Sequence, residues 1–162
     1  MPLRLEEPTA KELLKLRAIA DYQFGSGSGY LLFPNYKVKI VRSSRTNRTR
    51  YAYIDGSLIA TVRPKDGHLT LTIEGARALL PGLKGRYTVQ VKTEAIPAIK
   101  RGGNVFAKHV VTADGEIRPG DEVLVIDERG SLIAVGRAVL NGEEMVAFKS
   151  GIAVKTRRGI EQ

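Results

Sequence analysis

Residues 117–145 read IRPGDEVLVIDERGSLIAVGRAVLNGEEM. Within them RPGD (118–121) is a turn, because proline presets φ and glycine accepts the positive φ that tight turns need. DEVLVID (121–127) behind it is rich in β-branched residues and reads as a strand, and SLIAVGRAVL (131–140) reads as a second. Asn141-Gly142 is a further turn signal, followed by EMVAF and IAVKTR as strands. Toward the N-terminus, RYTVQV from Arg86 is another strand, and IPAIKRGGNVFAKHVV (96–111) a loop entering an apolar run. Short strands so closely spaced, punctuated by glycine and proline, predict a small barrel, an arrangement that also removes exposed sheet edges.

The first half has a different rhythm. Pro8 and Thr9 open PTAKELLKLRAIADYQF, in which Leu13, Leu14, Leu16, Ala18, Ile19, Ala20 and Tyr22 give an apolar face at helical spacing. GSGSG (25–29) reads as a plain link in preference to a backbone approach to phosphate, because it follows the helix C-terminus rather than leading into a helix N-terminus. KVKIV, RYAYI, SLIATV and LTLTI are then short strands from Lys37, Arg50, Ser57 and Leu69, with hairpin signals at Asp55-Gly56 and Asp66-Gly67. A short helix, EGARALL, closes this half before Pro81-Gly82. IDGSLIATVR and IDERGSLIAVGR echo one another, but shared turn-strand chemistry accounts for the echo as well as duplication does.

Composition narrows the partner. The 162 residues are 43% hydrophobic, enough to fill one or two small cores, and carry 26 basic against 17 acidic side chains. Residues 1–86 hold 15 of the basic and 7 of the acidic side chains, and the remainder 11 and 10, so the excess is local. It peaks in VRSSRTNRTR (41–50), where Arg42, Arg45, Arg48 and Arg50 occur without a carboxylate. Like charges this dense repel one another unless an anion neutralises them. Thr46-Asn47 falls at the tip of a hairpin, so these arginines are expected to be displayed to a phosphate backbone; a merely solvated basic turn is the competing reading.

The chain has no cysteine, which excludes thiol chemistry and the common zinc sites. His68, in a turn, and His109, in the barrel, have no spacing that builds a metal site or a triad, and the aspartates mark turns. Neither an apolar run of membrane-spanning length nor a signal-peptide core is visible. The expectation is a cytoplasmic, non-catalytic protein without cofactor or metal; few asparagines and glutamines fit a heat-adapted source.

KRGGNVFAKHVV, IRPGDEVLVIDERGSLIAVGRAVLNGEEM and KSGIAVKTRRG together resemble the PUA domain, an RNA-binding pseudo-barrel found in pseudouridine synthases and archaeosine transglycosylases. ADYQFGSGSGYLLFP and the segment from Val41 to Ala76 are similar to the pre-PUA segment of archaeal tRNA-guanine transglycosylases. The resemblance implies an α+β N-terminal domain over residues 1–84, a helix plus antiparallel β-meander, followed by a mainly-β PUA pseudo-barrel over 85–162. It also implies RNA, in particular tRNA, as partner, and a role beside a separately encoded RNA-modifying enzyme, because the family's catalytic barrel and zinc site have no counterpart in these residues. In related PUA domains RNA lies against the glycine loop, so Arg101, Gly102, Gly103 and Asn104 would present amides and a cation to phosphate or a terminal base. Lys108, Arg137, Lys155, Arg157 and Arg158 would add phosphate contacts, although alternation along a strand prevents all of them from facing one way, and Arg137 and Lys155 equally suit structural or solvated roles. Phe106 is expected in the core rather than stacked on a base, His109 packed or exposed rather than a ligand, and Tyr51 and Tyr53 in packing. A translation-associated or protein-interaction adaptor is the alternative function.

Overall fold

The computed structural model describes residues 4–34 and 37–162, which form two compact units, Met1–Leu83 and Lys84–Gln162. In the first, α1 (Ala10–Phe24) begins at Thr9, whose hydroxyl accepts from the Glu12 amide while Glu12 accepts from the Thr9 amide, a reciprocal cap that satisfies two otherwise orphaned donors. Leu16, Ala20 and Phe24, four residues apart, are the buried stripe of α1. The apolar face is narrower than its sequence pattern predicts: Leu14 and Tyr22 are exposed.

GSGSG is not a link. Ser28 starts the short helix α2 (Ser28–Leu32), and the Gly29 amide donates to Asp21 Oδ1 at 2.8 Å. A Cβ at Gly29 would stand 2.5 Å from the Arg17 carbonyl oxygen, so glycine lets the two helices cross in contact.

Strands β1 (Val38–Arg42), β2 (Thr49–Ile54), β3 (Ser57–Val62) and β4 (Leu69–Leu71) form an antiparallel meander in chain order. Ile40, Ala52, Ala60 and Leu71 lie in register and are buried. Helix α1 spans this sheet: Glu12 meets Arg42 of β1, and Gln23 donates to the Leu69 carbonyl and accepts from the Leu69 amide of β4, both at 2.8 Å. Gln23 thereby imitates a strand partner and closes the β4 edge. Helix α3 (Ile73–Leu83) buries Ala76, Leu79 and Leu83.

The second unit has six strands: β5 (Thr88–Val91), β6 (Val105–Phe106), β7 (Val110–Ala113), β8 (Glu122–Ile126), β9 (Leu132–Ala138) and β10 (Ile152–Gly159). Their order is β6-β10-β9-β8-β5-β7, antiparallel except for the parallel β5–β8 pair. The two edge strands, β6 and β7, are separated in sequence only by the 3-10 turn Ala107–His109, so the sheet must curl until its edges are neighbours. This near-barrel surrounds Val89, Val91, Val105, Val123, Val125, Ala134 and Val154.

Two segments of the second unit also form elements that the sequence pattern does not predict. The expected loop from Ile96 opens with α4 (Ile96–Lys100), which follows a 3-10 turn (Thr93–Ala95) and carries Pro97 in its first turn, where a missing N–H costs nothing. Asn141-Gly142 is not a hairpin turn, and EMVAF is not a strand. Asn141 caps α5 (Gly142–Ala147) in a reciprocal pair with Glu144, and Met145 plugs the core.

Candidate nucleic-acid interface

Two hairpin loops leave the same end of the four-stranded sheet, because β1–β2 and β3–β4 turn in the same direction. They have one geometry. Ser43 N–H donates to Arg48 O and Asn47 N–H to Ser43 O; Arg63 N–H donates to His68 O and Gly67 N–H to Arg63 O, all at 2.8–2.9 Å. Asn47 and Gly67 both take positive φ, 60° and 74°, a conformation suited to asparagine and glycine. Thr46 Oγ1 and Asp66 Oδ1 each accept from the amide two residues on, which braces both tips. Arg45 and Arg48 are exposed on the first loop and have no side-chain hydrogen bond or ion pair among the described residues. Lys65 is exposed on the second, where Arg63 donates twice to Asp66, at 3.2 and 2.8 Å.

Arg42 is not displayed as expected. Its Nε and Nη2 donate to the Glu12 carboxylate at 2.8 and 2.5 Å, and Nη1 pairs with Glu6. The Arg42 hydrogen bond holds the Glu12 carboxyl down to about 2, with the Thr9 amide adding to the effect. Arg50 is half-buried, its Nε enclosed without a partner and its guanidinium 5.7 Å from the Tyr51 ring centroid. Of the four arginines, Arg45 and Arg48 alone stand on the exposed tip. Tyr51 and Tyr53 alternate with buried Ala52, which puts them on the sheet face away from Ala52.

In the second unit the glycine loop is a helix terminator. Gly102, at φ 101°, donates to Ile99 O, and Gly103 donates to Ala98 O, the paired bonds that close a helix C-terminus on a left-handed glycine; Arg101 N–H also donates to Ala98 O. The amides expected to meet RNA at 101–103 are therefore committed within the fold. Asn104 Oδ1 accepts from the Thr156 amide at 3.1 Å, tying the loop to β10. The Arg101 side chain remains exposed.

The strand cations sort by register. Lys155 stands opposite Arg137, and Arg137 opposite Glu122, so β10, β9 and β8 contribute one row across the sheet. Sequence alternation left open whether Arg137 and Lys155 share a face; they do. Arg157, itself exposed, is drawn into a pair with both oxygens of Glu122, a side chain 4% exposed. Lys108 and Arg158 are exposed, on the 3-10 turn and on β10. Phe106 is not core: it is 42% exposed and meets His109 edge-on, with centroids 6.4 Å apart. The sequence marks Asp66-Gly67 as a hairpin turn but gives the 63–68 loop no binding role, although RPKDGH has the length of SSRTNR and likewise a positive-φ residue in fifth place. No group of three or more metal-ligating side chains occurs among the described residues, and no described helix is long and apolar enough to cross a membrane.

Residues 14–85 match the patch-forming domain C2 of tRNA-guanine transglycosylase, and residues 87–160 match the PUA domain. The chain thus carries a C2 domain followed by a PUA domain. More particularly, it resembles the C-terminal part of archaeal tRNA-guanine(15) transglycosylase: it is 47% identical to that of Pyrococcus furiosus over 98% of its own length, and 43% identical to that of Methanothermobacter thermautotrophicus over 94%. It spans about a quarter of the length of these curated relatives, 27% and 23% respectively. Among solved structures, a conserved PUA-domain protein from Thermoplasma acidophilum superposes with a TM-score of 0.73 at 22% identity, covering 98% of this chain and 95% of that one. A hypothetical protein from Pyrococcus horikoshii superposes with a TM-score of 0.74, also at 22% identity, covering 98% and 96%. These two likenesses concern the fold.

Proposed function

We propose that this chain is a non-catalytic RNA-binding protein that holds tRNA, or a similarly structured RNA, for modification or maturation, the reacting chemistry being supplied by a separately encoded modifying enzyme. The observation that carries the proposal is the pair of like-shaped loops at one sheet end, with Arg45, Arg48 and Lys65 exposed while the nearby carboxylates Glu12 and Asp66 are engaged by Arg42 and Arg63. Cations whose local counter-charges are already committed present a net positive rim, and such a rim attracts phosphate without reading sequence. The braced loop backbones also set the spacing from which these flexible side chains reach out, which suits a folded RNA. The Arg137–Lys155 row, Arg101, Lys108 and Arg158 are proposed as phosphate contacts of the PUA domain; Arg42 and Arg157, engaged by carboxylates, are not. The similarity to tRNA-guanine(15) transglycosylases favours tRNA over other RNAs.

The test is binding of native total tRNA against an unrelated duplex RNA of similar length over a salt series. Preference for tRNA with a steep negative salt slope supports the proposal. Equal weak binding of both RNAs removes it.

A protein-interaction or translation-associated adaptor is the second reading, favoured by Phe106 and Ile152. These face each other across β6 and β10 and are 42% and 37% exposed. Capture of a protein partner that survives nuclease, and is lost on Phe106→Ser, would decide for it.

A further inference from the structure

Tyr22 lies near the C-terminal end of α1 with 82% of its surface exposed, so it contributes little to the core. Its ring centroid is 6.2 Å from that of His68, with planes inclined at 51°. His68 is fixed at the foot of the second basic loop: its amide donates to Asp66 Oδ1 at 2.9 Å, and Asp66 is gripped by Arg63. The aromatic pair therefore stands at the sheet end from which both basic loops project. Along α1, Lys11 and Lys15 precede Tyr22 by 11 and 7 residues, near whole numbers of turns, and are exposed on the same stripe without an ion pair among the described residues.

Two of the nearby acids are already paired with other cations, Glu12 with Arg42 and Asp66 with Arg63, whereas Asp21 accepts from the Gly29 amide and keeps its charge. An open aromatic face among uncommitted cations is the combination that receives a base while neighbouring phosphates are held, because each nucleobase has a π-face and each nucleotide brings a charge. An apolar protein partner would be poorly matched to the surrounding lysines and arginines.

We infer that Tyr22, with His68 beside it, is a stacking post for an unpaired nucleobase of an RNA whose backbone is held by the two basic loops. This rests on the RNA-binding reading above and deepens it: the first unit engages a base face as well as phosphates, and so separates RNA with an unpaired nucleotide from continuous duplex.

The test uses the full chain with Tyr22→Ser and Tyr22→Phe, a single-stranded RNA octamer containing 2-aminopurine, and a duplex of the same sequence. Stacking quenches 2-aminopurine, so the parent chain and Tyr22→Phe should quench it on binding. Tyr22→Ser should lose the quench and bind the single strand roughly tenfold more weakly, as the loss of one stacked base implies. Duplex affinity and the salt slope should not change, because no charge is removed. Thermal melting of both variants confirms folding, which is expected to persist at so exposed a position. If Tyr22→Ser keeps the single-strand affinity and the quench, the stacking post is overturned while RNA binding stands. If the parent binds neither RNA, both readings are overturned together.

Discussion

Arg157 of β10 reaches across β9 to both carboxylate oxygens of Glu122 on β8. The Glu122 side chain is 4% exposed and that of Arg157 36% exposed, so this guanidinium helps to compensate a carboxylate taken out of water. A cation that looks like a ligand contact in sequence is thus part of the fold. Arg157→Ala is expected to cost about 2 kcal/mol, below the roughly 3 to 5 kcal/mol for stranding a fully buried charge because Arg157 is partly wet. Arg157→Ala combined with Glu122→Gln should recover part of that loss, as measured by urea denaturation; equal costs for the single and double variants would mean that the pair carries no coupling.

The Glu12–Arg42 pair links stability to pH. Glu12 titrates near 2 in the fold against 4.5 when unconstrained. Its folded pKa is depressed, so its contribution is present in full above pH 4.5 and is lost as pH falls from 4.5 toward 2. The urea midpoint of the first unit should decline over that window in the parent chain, and Glu12→Gln should flatten the decline. An unchanged profile would show that the pair is not maintained in solution.

Gly102 separates a structural glycine loop from a ligand-binding one. Its φ of 101° disfavours any side chain, and a Cβ there would stand 2.6 Å from the Gln162 side-chain amide. Gly102→Ala should therefore destabilise by about 1 kcal/mol. With the amides of residues 101–103 already bonded within the fold, tRNA affinity of the folded variant should stay within about twofold, well under the roughly tenfold that 1.4 kcal/mol would bring. A large affinity loss without unfolding would return the loop to the RNA surface.

Much of the fold was legible because local chemistry and tertiary packing agree. Thr9 with Glu12 announces the start of α1, and alternation around Ala52 gives the buried and open faces of the meander. Where the two diverge, the sequence misleads. Asn141-Gly142 is as good a hairpin signal as it is a helix start, and Glu144, three residues on, decides for the helix by closing the reciprocal cap. Leu14 and Tyr22 fit helical spacing as well as Leu16 does, but the stripe that faces the sheet is only wide enough for Leu16, Ala20 and Phe24. The candidate site was half legible for the same reason. An arginine's type gives its charge, whereas its availability depends on whether a carboxylate distant in sequence reaches it. Arg42 lies 30 residues from Glu12, and Arg157 lies 35 from Glu122. Arg45 and Arg48, with no such neighbour among the described residues, are exposed at the hairpin tip that the sequence predicts.

Arg45→Ala/Arg48→Ala should leave stability within about 0.5 kcal/mol, since neither guanidinium makes a bond among the described residues. Equal melting curves for parent and variant check this, and a marked loss would mean that the tip arginines support the fold.

The most direct measurement of the central claim is the salt dependence of tRNA binding by the parent chain and by Arg45→Ala/Arg48→Ala. Each phosphate contact contributes roughly 0.7 to 0.9 to the slope of log K against log salt concentration, so the variant's slope should be shallower by about 1 to 2. An unchanged slope and affinity in the folded variant would contradict the claim that this hairpin grips RNA.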